Sequence, residues 1–345
     1  MRICSSQVLE QWSVGGYCEY RIPGLVVTSA GTLLACFEAR MADGNDWAGT
    51  DIILRRSTDG GQTFSRTILV QHISADTVTY NNPILISDGE RIHFLWHRDY
   101  AQAFYQVSLD DGQTFSKPIE ITTAFAEFRD RYDWTGIASG PGHGIALQNG
   151  RLVVPVWLAQ GQPLDAAGRI RAHHPSVAAT IYSDDHGASW HSGGLVTGLC
   201  DGNETTAVEL SNGQVMLNIR HHEPSRHRAI CLSTDGGGSF CPPSFDLALP
   251  DPICFGSLVR APGCGIFFVN CAHNRDRRRI DLTLRLSQDD GRNWPSQILV
   301  DPVGGYADIA WMANQSIYCL YERTVARDGR NVIDQLILAR IDVTD

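Results

Sequence analysis

The residues with chemistry to offer are a few arginines, one tyrosine and a handful of carboxylates. Arg21 sits in Tyr20-Arg21-Ile22-Pro23, ahead of the first clear strand, and Arg220 closes the strand-like run Val215-Met216-Leu217-Asn218-Ile219. Arg279 ends a run of four arginines in five residues (Arg275, Arg277, Arg278, Arg279) and leads into Ile280-Asp281-Leu282-Thr283-Leu284-Arg285. A guanidinium fork fits a carboxylate better than an ammonium does, but a lone arginine is by default a surface ion pair. A like-charged run is by default a solvated loop. Tyr306 follows two glycines in Gly304-Gly305-Tyr306-Ala307-Asp308-Ile309, where an isolated tyrosine is ordinarily a core or rim residue. Carboxylates for proton transfer are Glu204 and Glu209, five residues apart, and Asp43, Asp46 and Asp51 after Phe37-Glu38-Ala39-Arg40. Asp46 lies in the polar loop Asp43-Gly44-Asn45-Asp46-Trp47-Ala48-Gly49, the sort of segment that closes over a ligand.

An internal repeat supplies the elements that must position these groups. Ser-x-Asp-x-Gly-x-(Thr/Ser)-(Phe/Trp) occurs as Ser57–Phe64, Ser108–Phe115, Ser183–Trp190 and Ser233–Phe240. A fifth copy, Ser287–Trp294, has Asn293 at the hydroxyl position. The Asp accepts backbone hydrogen bonds within its own turn, the Gly permits positive φ, and the aromatic folds under the hairpin. Starts at 57, 108, 183, 233 and 287 give spacings of 51, 75, 50 and 54 residues. About 50 residues is one four-stranded propeller blade. Five copies plus a C-terminal unit without one predict an all-β, six-bladed β-propeller with five Asp-box repeats, a single domain over 1–345. The wide second gap predicts an insertion around 120–140, and closure is expected through an N-terminal strand pairing with the C-terminal ones.

A formal charge of −10 argues against nucleic acid or an anionic membrane as the main partner. Ten cysteines form no Cys-x-x-Cys pair and no Cys/His spacing that reads as zinc; Cys36 and Cys319 sit in apolar runs and read as small hydrophobes. The Met1-Arg2-Ile3-Cys4-Ser5-Ser6 start has no apolar signal core and no run reaches membrane-spanning length, so the expectation is a cytoplasmic protein without membrane insertion.

With Arg-Ile-Pro upstream of five Asp boxes, the chain resembles the exo-α-sialidases, from Arg21 to Glu322. The resemblance implies a glycoside hydrolase that releases terminal sialic acids from glycoproteins, glycolipids or oligosaccharides, without cofactor or metal. It implies that Arg21, Arg220 and Arg279 clamp the sugar carboxylate, the last with Asp281 where relatives have Asn. It implies Tyr306 as nucleophile, Glu204 as its base and Asp46 as general acid/base, six residues past Arg40. Glu322 would brace Arg21, and Arg40 would reach a ring hydroxyl. Trp47, Trp96 and Trp134 are possible walls for the N-acyl group. A tyrosine nucleophile is a known exception among glycosidases and gives retention of configuration. Preference for the deaminated sugar, trans-sialidase activity and a non-catalytic glycan-binding propeller remain open alternatives.

Overall fold

The strand-turn-strand runs of each repeat fold as a four-stranded antiparallel sheet, and six such sheets form the protein. The computed structural model describes residues 1–42, 44–70, 78–162, 172–327 and 330–344. Blade I comprises Glu19–Val27, Leu33–Arg40, Thr50–Ser57 and Ser65–Val70; blade II comprises Tyr80–Asp88, Arg91–Arg98, Gln102–Ser108 and Ile119–Glu120. Blade III comprises Gly136–Ser139 (with the short Ile145–Ala146), Leu152–Ala159, Ser176–Ser183 and His191–Val196. Blade IV comprises Thr205–Glu209, Val215–Ile219, His227–Ser233 and Ser244–Pro250; blade V comprises Ser257–Ala261, Gly265–Cys271, Leu282–Ser287 and Ser296–Asp301. Blade VI comprises Gly304–Met312, Ser316–Arg327 and Arg330–Asp342, and its fourth strand is Arg2–Gln11, which pairs antiparallel with the third. First strands of neighbouring blades touch one another and so ring a central axis.

Apolar faces of adjacent blades pack together between the sheets. Leu34 and Cys36 of blade I meet Leu85 and Phe94 of blade II, and Phe37 of blade I meets Leu320 and Leu338 of blade VI, all essentially dry. Burying each large side chain of this kind contributes about 1.5–3 kcal/mol.

Every Asp box caps the turn between the third and fourth strands of its blade. In blade II, Thr114 Oγ1 and N donate to the two oxygens of Asp110 (2.6 and 2.8 Å), and Ser108 Oγ donates to Asp110 while accepting from Gly112 N. Asn293 of the fifth box donates through Nδ2 to Asp289 over 2.7 Å, which is why it replaces the usual hydroxyl without loss. Blade VI has no such turn, because its outer strand comes from the other end of the chain; it therefore has no box. These hydrogen bonds hold Asp110 down at about 2. A carboxyl depressed on folding contributes stability above its ordinary value near 4, and that contribution is lost as pH falls toward 2. Asp110→Ala is accordingly expected to lower Tm by about 2 °C at neutral pH, with the difference closing in acid, read by thermal melts across pH.

The long second spacing has two sources. The expected insertion appears as the 3₁₀ helix Thr122–Phe128, whose Phe125 and Phe128 are buried between blades II and III. The other is the connection after Ala159, which lengthens blade III before Ser176. Among the described residues, no helix is long and apolar enough to cross a membrane.

Candidate active site

At one end of the ring, the first strands of three blades carry β-bulges, between Arg21 and Gly24, Asn81 and Ile84, and Gly304 and Ala307. A bulge re-aims side chains off the ladder, here toward the axis. Ile22 is held at φ 59° and Asn82 at φ 51°. For a β-branched residue such a value is a real outlier, the kind of strain that persists only where its surroundings enforce it. Two buried glutamates do the enforcing. Glu322 Oε1 on blade VI accepts from Ile22 N (3.1 Å) and from Arg21 Nε (2.7 Å), while Glu38 Oε1 on blade I accepts from Asn82 N (2.8 Å). Each glutamate fixes the bulge of the next blade across a seam.

Arg21, Arg220 and Arg279 line one cavity of about 210 Å³ together with Tyr306, Glu204, Asp46 and Arg40. Arg279 is half-buried with its guanidinium 4.6 Å from the centre of the Tyr306 ring, and Arg21 stands 5.4 Å from it. Arg275, Arg277 and Arg278 are exposed, so one member of the run turns inward and the others face solvent. Asp281, two residues on, takes φ 58°, a region that Asn and Asp tolerate alike. That accounts for Asp in a position where Asn was expected.

Tyr306 itself is buried, and its hydroxyl donates to Glu204 Oε1 over 2.6 Å. Arg220 Nη1 donates to Tyr306 OH over 2.6 Å and pairs with Glu204 Oε2. Burial raises the Tyr306 phenol above its ordinary value; Arg220 pulls it back and Glu204 adds to the rise. Across the cavity, Asp46 Oδ1 accepts from Arg40 Nη1 over 2.7 Å, with its side chain 39% exposed. Burial pushes the Asp46 carboxyl up, but Arg40, His173 and Arg21 outweigh it and hold it well below the carboxylate range. Arg40 lines the cavity, yet Nε and Nη2 go to Glu38 (2.8 and 2.6 Å), so its donors are turned to the protein's own carboxylates.

The BNR repeat-like domain family matches residues 94–318. The chain belongs to that family, as a sialidase-type propeller. It is 32% identical over 344 residues to a sialidase of Micromonospora viridifaciens, covering 89% of this chain and 50% of that one. Sialidase-4 of Homo sapiens is 30% identical over 266 residues, 70% of this chain and 54% of that one. The chain thus spans about half the length of these curated relatives. A Hadza microbial sialidase superposes with a TM-score of 0.80 at 23% identity, covering 98% of this chain and 68% of that one, which attests the fold.

Two rival carboxylates of this sialidase propeller, Glu209 and Asp51, lie elsewhere. Glu209 accepts from Gln148 N (2.9 Å) and lines the cavity at the opposite end of the axis, where the first strands emerge. Asp51 is buried in its strand, accepting from the Tyr17 hydroxyl. Asp43 lies outside the described residues. Of the three tryptophans proposed as walls, Trp96 stacks on Phe104 and donates to Gln106, and Trp134 is sandwiched under Arg129 with its indole N–H on Phe125 O. Both are packing residues. Trp47 belongs to an aromatic cluster with Tyr100, Trp157 and His173, ring centroids 4.8–6.2 Å apart, and the last three of these line the cavity beside Asp46. Sequence reasoning missed Tyr100, Trp157 and His173. Of these, only Tyr100 has a local signal, a short turn after a strand.

Proposed function

We propose that the chain is an exo-α-sialidase that hydrolyses terminal sialic acids from glycoconjugates with retention, through a covalent sialyl-tyrosine. The observation that carries this reading is the 2.6 Å hydrogen bond from Tyr306 OH to Glu204, set beneath three arginines that converge on one cavity. Sialic acid bears a carboxylate on its anomeric carbon, so a site for it needs fixed positive charge over the nucleophile. Arg279 and Arg21 supply this above the Tyr306 ring, and Arg220 beside its hydroxyl. Glu322 orients Arg21 and offsets the cost of an unpaired guanidinium in a half-buried setting.

The reaction then runs in two displacements. The clamp seats the sugar carboxylate; Tyr306 O attacks the anomeric carbon as Glu204 takes its proton, and Asp46 protonates the departing glycan oxygen. Water, deprotonated by Asp46, next breaks the tyrosyl bond, and Glu204 returns the proton to the phenolate. The aromatic wall of Tyr100, Trp157 and His173 stands where apolar substituents of the sugar would pack. A glycan-binding module would have no use for a phenol paired to a carboxylate at its base, which favours hydrolysis.

Release of fluorophore from aryl sialosides carrying the N-acetyl or the deaminated sugar tests the activity and its sugar preference together. In the same assay, Arg279→Ala is expected to weaken substrate and an unsaturated sialic acid analogue alike, by about 2–5 kcal/mol, the cost of breaking a desolvated charge pair. Normal kinetics for that variant would remove Arg279 from the clamp and return attention to Arg277 or Arg278.

A further inference from the structure

Beside the cavity, three side chains from separate segments converge on a single oxygen. His174 precedes the third strand of blade III, Asp201 lies in the connection from blade III to blade IV, and His222 follows the second strand of blade IV. His174 Nδ1 and His222 Nδ1 each stand 3.4 Å from Asp201 Oδ2, and the three donor atoms all lie within 4.8 Å of one another. Metal–ligand bonds of about 2.1 Å at a tetrahedral angle give ligand–ligand edges of about 3.4 Å.

Other histidine–carboxylate pairs in this chain behave differently. His143–Asp308 and His186–Asp88 close to 2.8 Å and His273–Asp276 to 2.9 Å, each as a directed hydrogen bond. His93 stands 3.5 Å from Asp88, but the oxygen it faces is already taken by His186. At Asp201 Oδ2 the other contact is the weak Cys200 Sγ–H donor at 3.9 Å, which leaves room for an imidazole, and still neither ring closes on it as a hydrogen bond. Its Oδ1 accepts from Ser176 N over 3.0 Å, which fixes the carboxylate as an outer partner fixes a ligand. The segments bearing Asp201 and His222 are pinned to each other, His222 N to Cys200 O (2.9 Å) and Cys200 N to Glu223 Oε1 (2.7 Å). One backbone and one side-chain hydrogen bond thus hold these two segments together, with the three ligand atoms clustered within 4.8 Å of one another. His222 Nε2 is also buried without a partner, so no hydrogen bond holds this ring in a different role.

We propose that His174, Asp201 and His222 form a three-ligand site for a divalent transition metal of the zinc class, with one position left to water. Two imidazoles and one carboxylate suit zinc, cobalt or nickel; calcium and magnesium require a shell of oxygens. Its role is structural. His174 adjoins His173, whose ring packs against Trp47, Tyr100 and Trp157, so the metal clamps that wall of the cavity to blade IV. The proposal does not depend on the reaction assigned to the cavity.

The test is calorimetric titration of chelator-treated protein with ZnCl₂, with the visible spectrum of added Co²⁺ as a second readout. Expected are one saturable site, a Co²⁺ spectrum of tetrahedral intensity, and a Tm raised by Zn²⁺ but not by Ca²⁺. His174 is 46% exposed, so His174→Ala removes a ligand without disturbing the core. Together with His222→Ala, it is expected to weaken Zn²⁺ binding by about 100-fold. Three results would overturn the site: no saturable binding, binding undiminished in both variants, or a loss confined to Cys200→Ser, which would assign the metal to that neighbouring thiol.

Discussion

Tyr306→Phe is expected to fold as the parent does, to bind an unsaturated sialic acid analogue through the arginines, and to lose turnover by about a thousandfold or more. The reasoning starts from charge. A carboxylate nucleophile would have to approach a carbon that itself bears a carboxylate, and like charges at that range repel. A neutral phenol avoids this but is a weak nucleophile, and burial makes the Tyr306 phenol still harder to ionise. In the proposed mechanism the Glu204 carboxylate 2.6 Å away would resolve the conflict by accepting the proton as the bond to carbon forms. Arg220, donating to the same hydroxyl, would stabilise the oxygen when it next departs as phenolate. Glu204→Gln should show a comparable or smaller loss. A mechanism-based fluorosugar should leave one sialyl adduct, and peptide mass mapping should find it on Tyr306. An adduct on Glu204 or Asp46, or an inverted first product by NMR, would refute the two-step scheme and leave the fold untouched.

For Asp46→Ala, the expected loss depends on the leaving group. Cleavage of natural sialyl-galactosides should fall by about 10²–10⁴-fold, the usual contribution of a positioned acid, whereas activated aryl sialosides depart without protonation and should lose far less. The pairing with Arg40 adds a pH signature. Arg40 holds Asp46 ionised in the free protein, the form needed to activate water in the second step but not to protonate the glycan in the first. Lower pH raises the fraction carrying the proton, so turnover of sialyl-galactosides should climb as pH falls below neutrality, with a flatter profile for aryl sialosides. Equal losses on both substrates, or matching pH profiles, would take the acid role away from Asp46.

Propeller architecture was legible because the Asp box is a local device: one turn, stitched by its own side chains, repeated wherever a third strand meets a fourth. Its absence from the last blade was legible for the same reason, since a strand borrowed from the far end makes no turn. The arginines, Tyr306 and Glu204 could be picked out only through resemblance, because each is unremarkable where it stands and gains meaning from the ring that brings them together. Three features stayed hidden. The aromatic wall draws on Tyr100 from blade II and on Trp157 and His173 from blade III, and no periodicity connects them, so Trp96 and Trp134 looked equally eligible. Likewise, His174, Asp201 and His222 are 27 and 21 residues apart, far from any ligand spacing a sequence motif records. The strain at Ile22 left no trace either, since a β-branched residue is the last type expected at positive φ.

The buried glutamates that cross the seams have a consequence for how activity is acquired during folding. Arg21 and Glu322 are 301 residues apart in sequence, and Tyr306 and Glu204 are 102 apart. Neither pair has a local precursor, and contacts this distant are slow to form because the chain must be closed before they repay its lost entropy. Individual blades, by contrast, are built from adjacent hairpins. Far-ultraviolet ellipticity is therefore expected to recover ahead of the proposed sialidase activity after dilution from denaturant, and the interval between them would time the meeting of blade VI with blade I. On the proposed function, turnover would serve as a clock for ring closure.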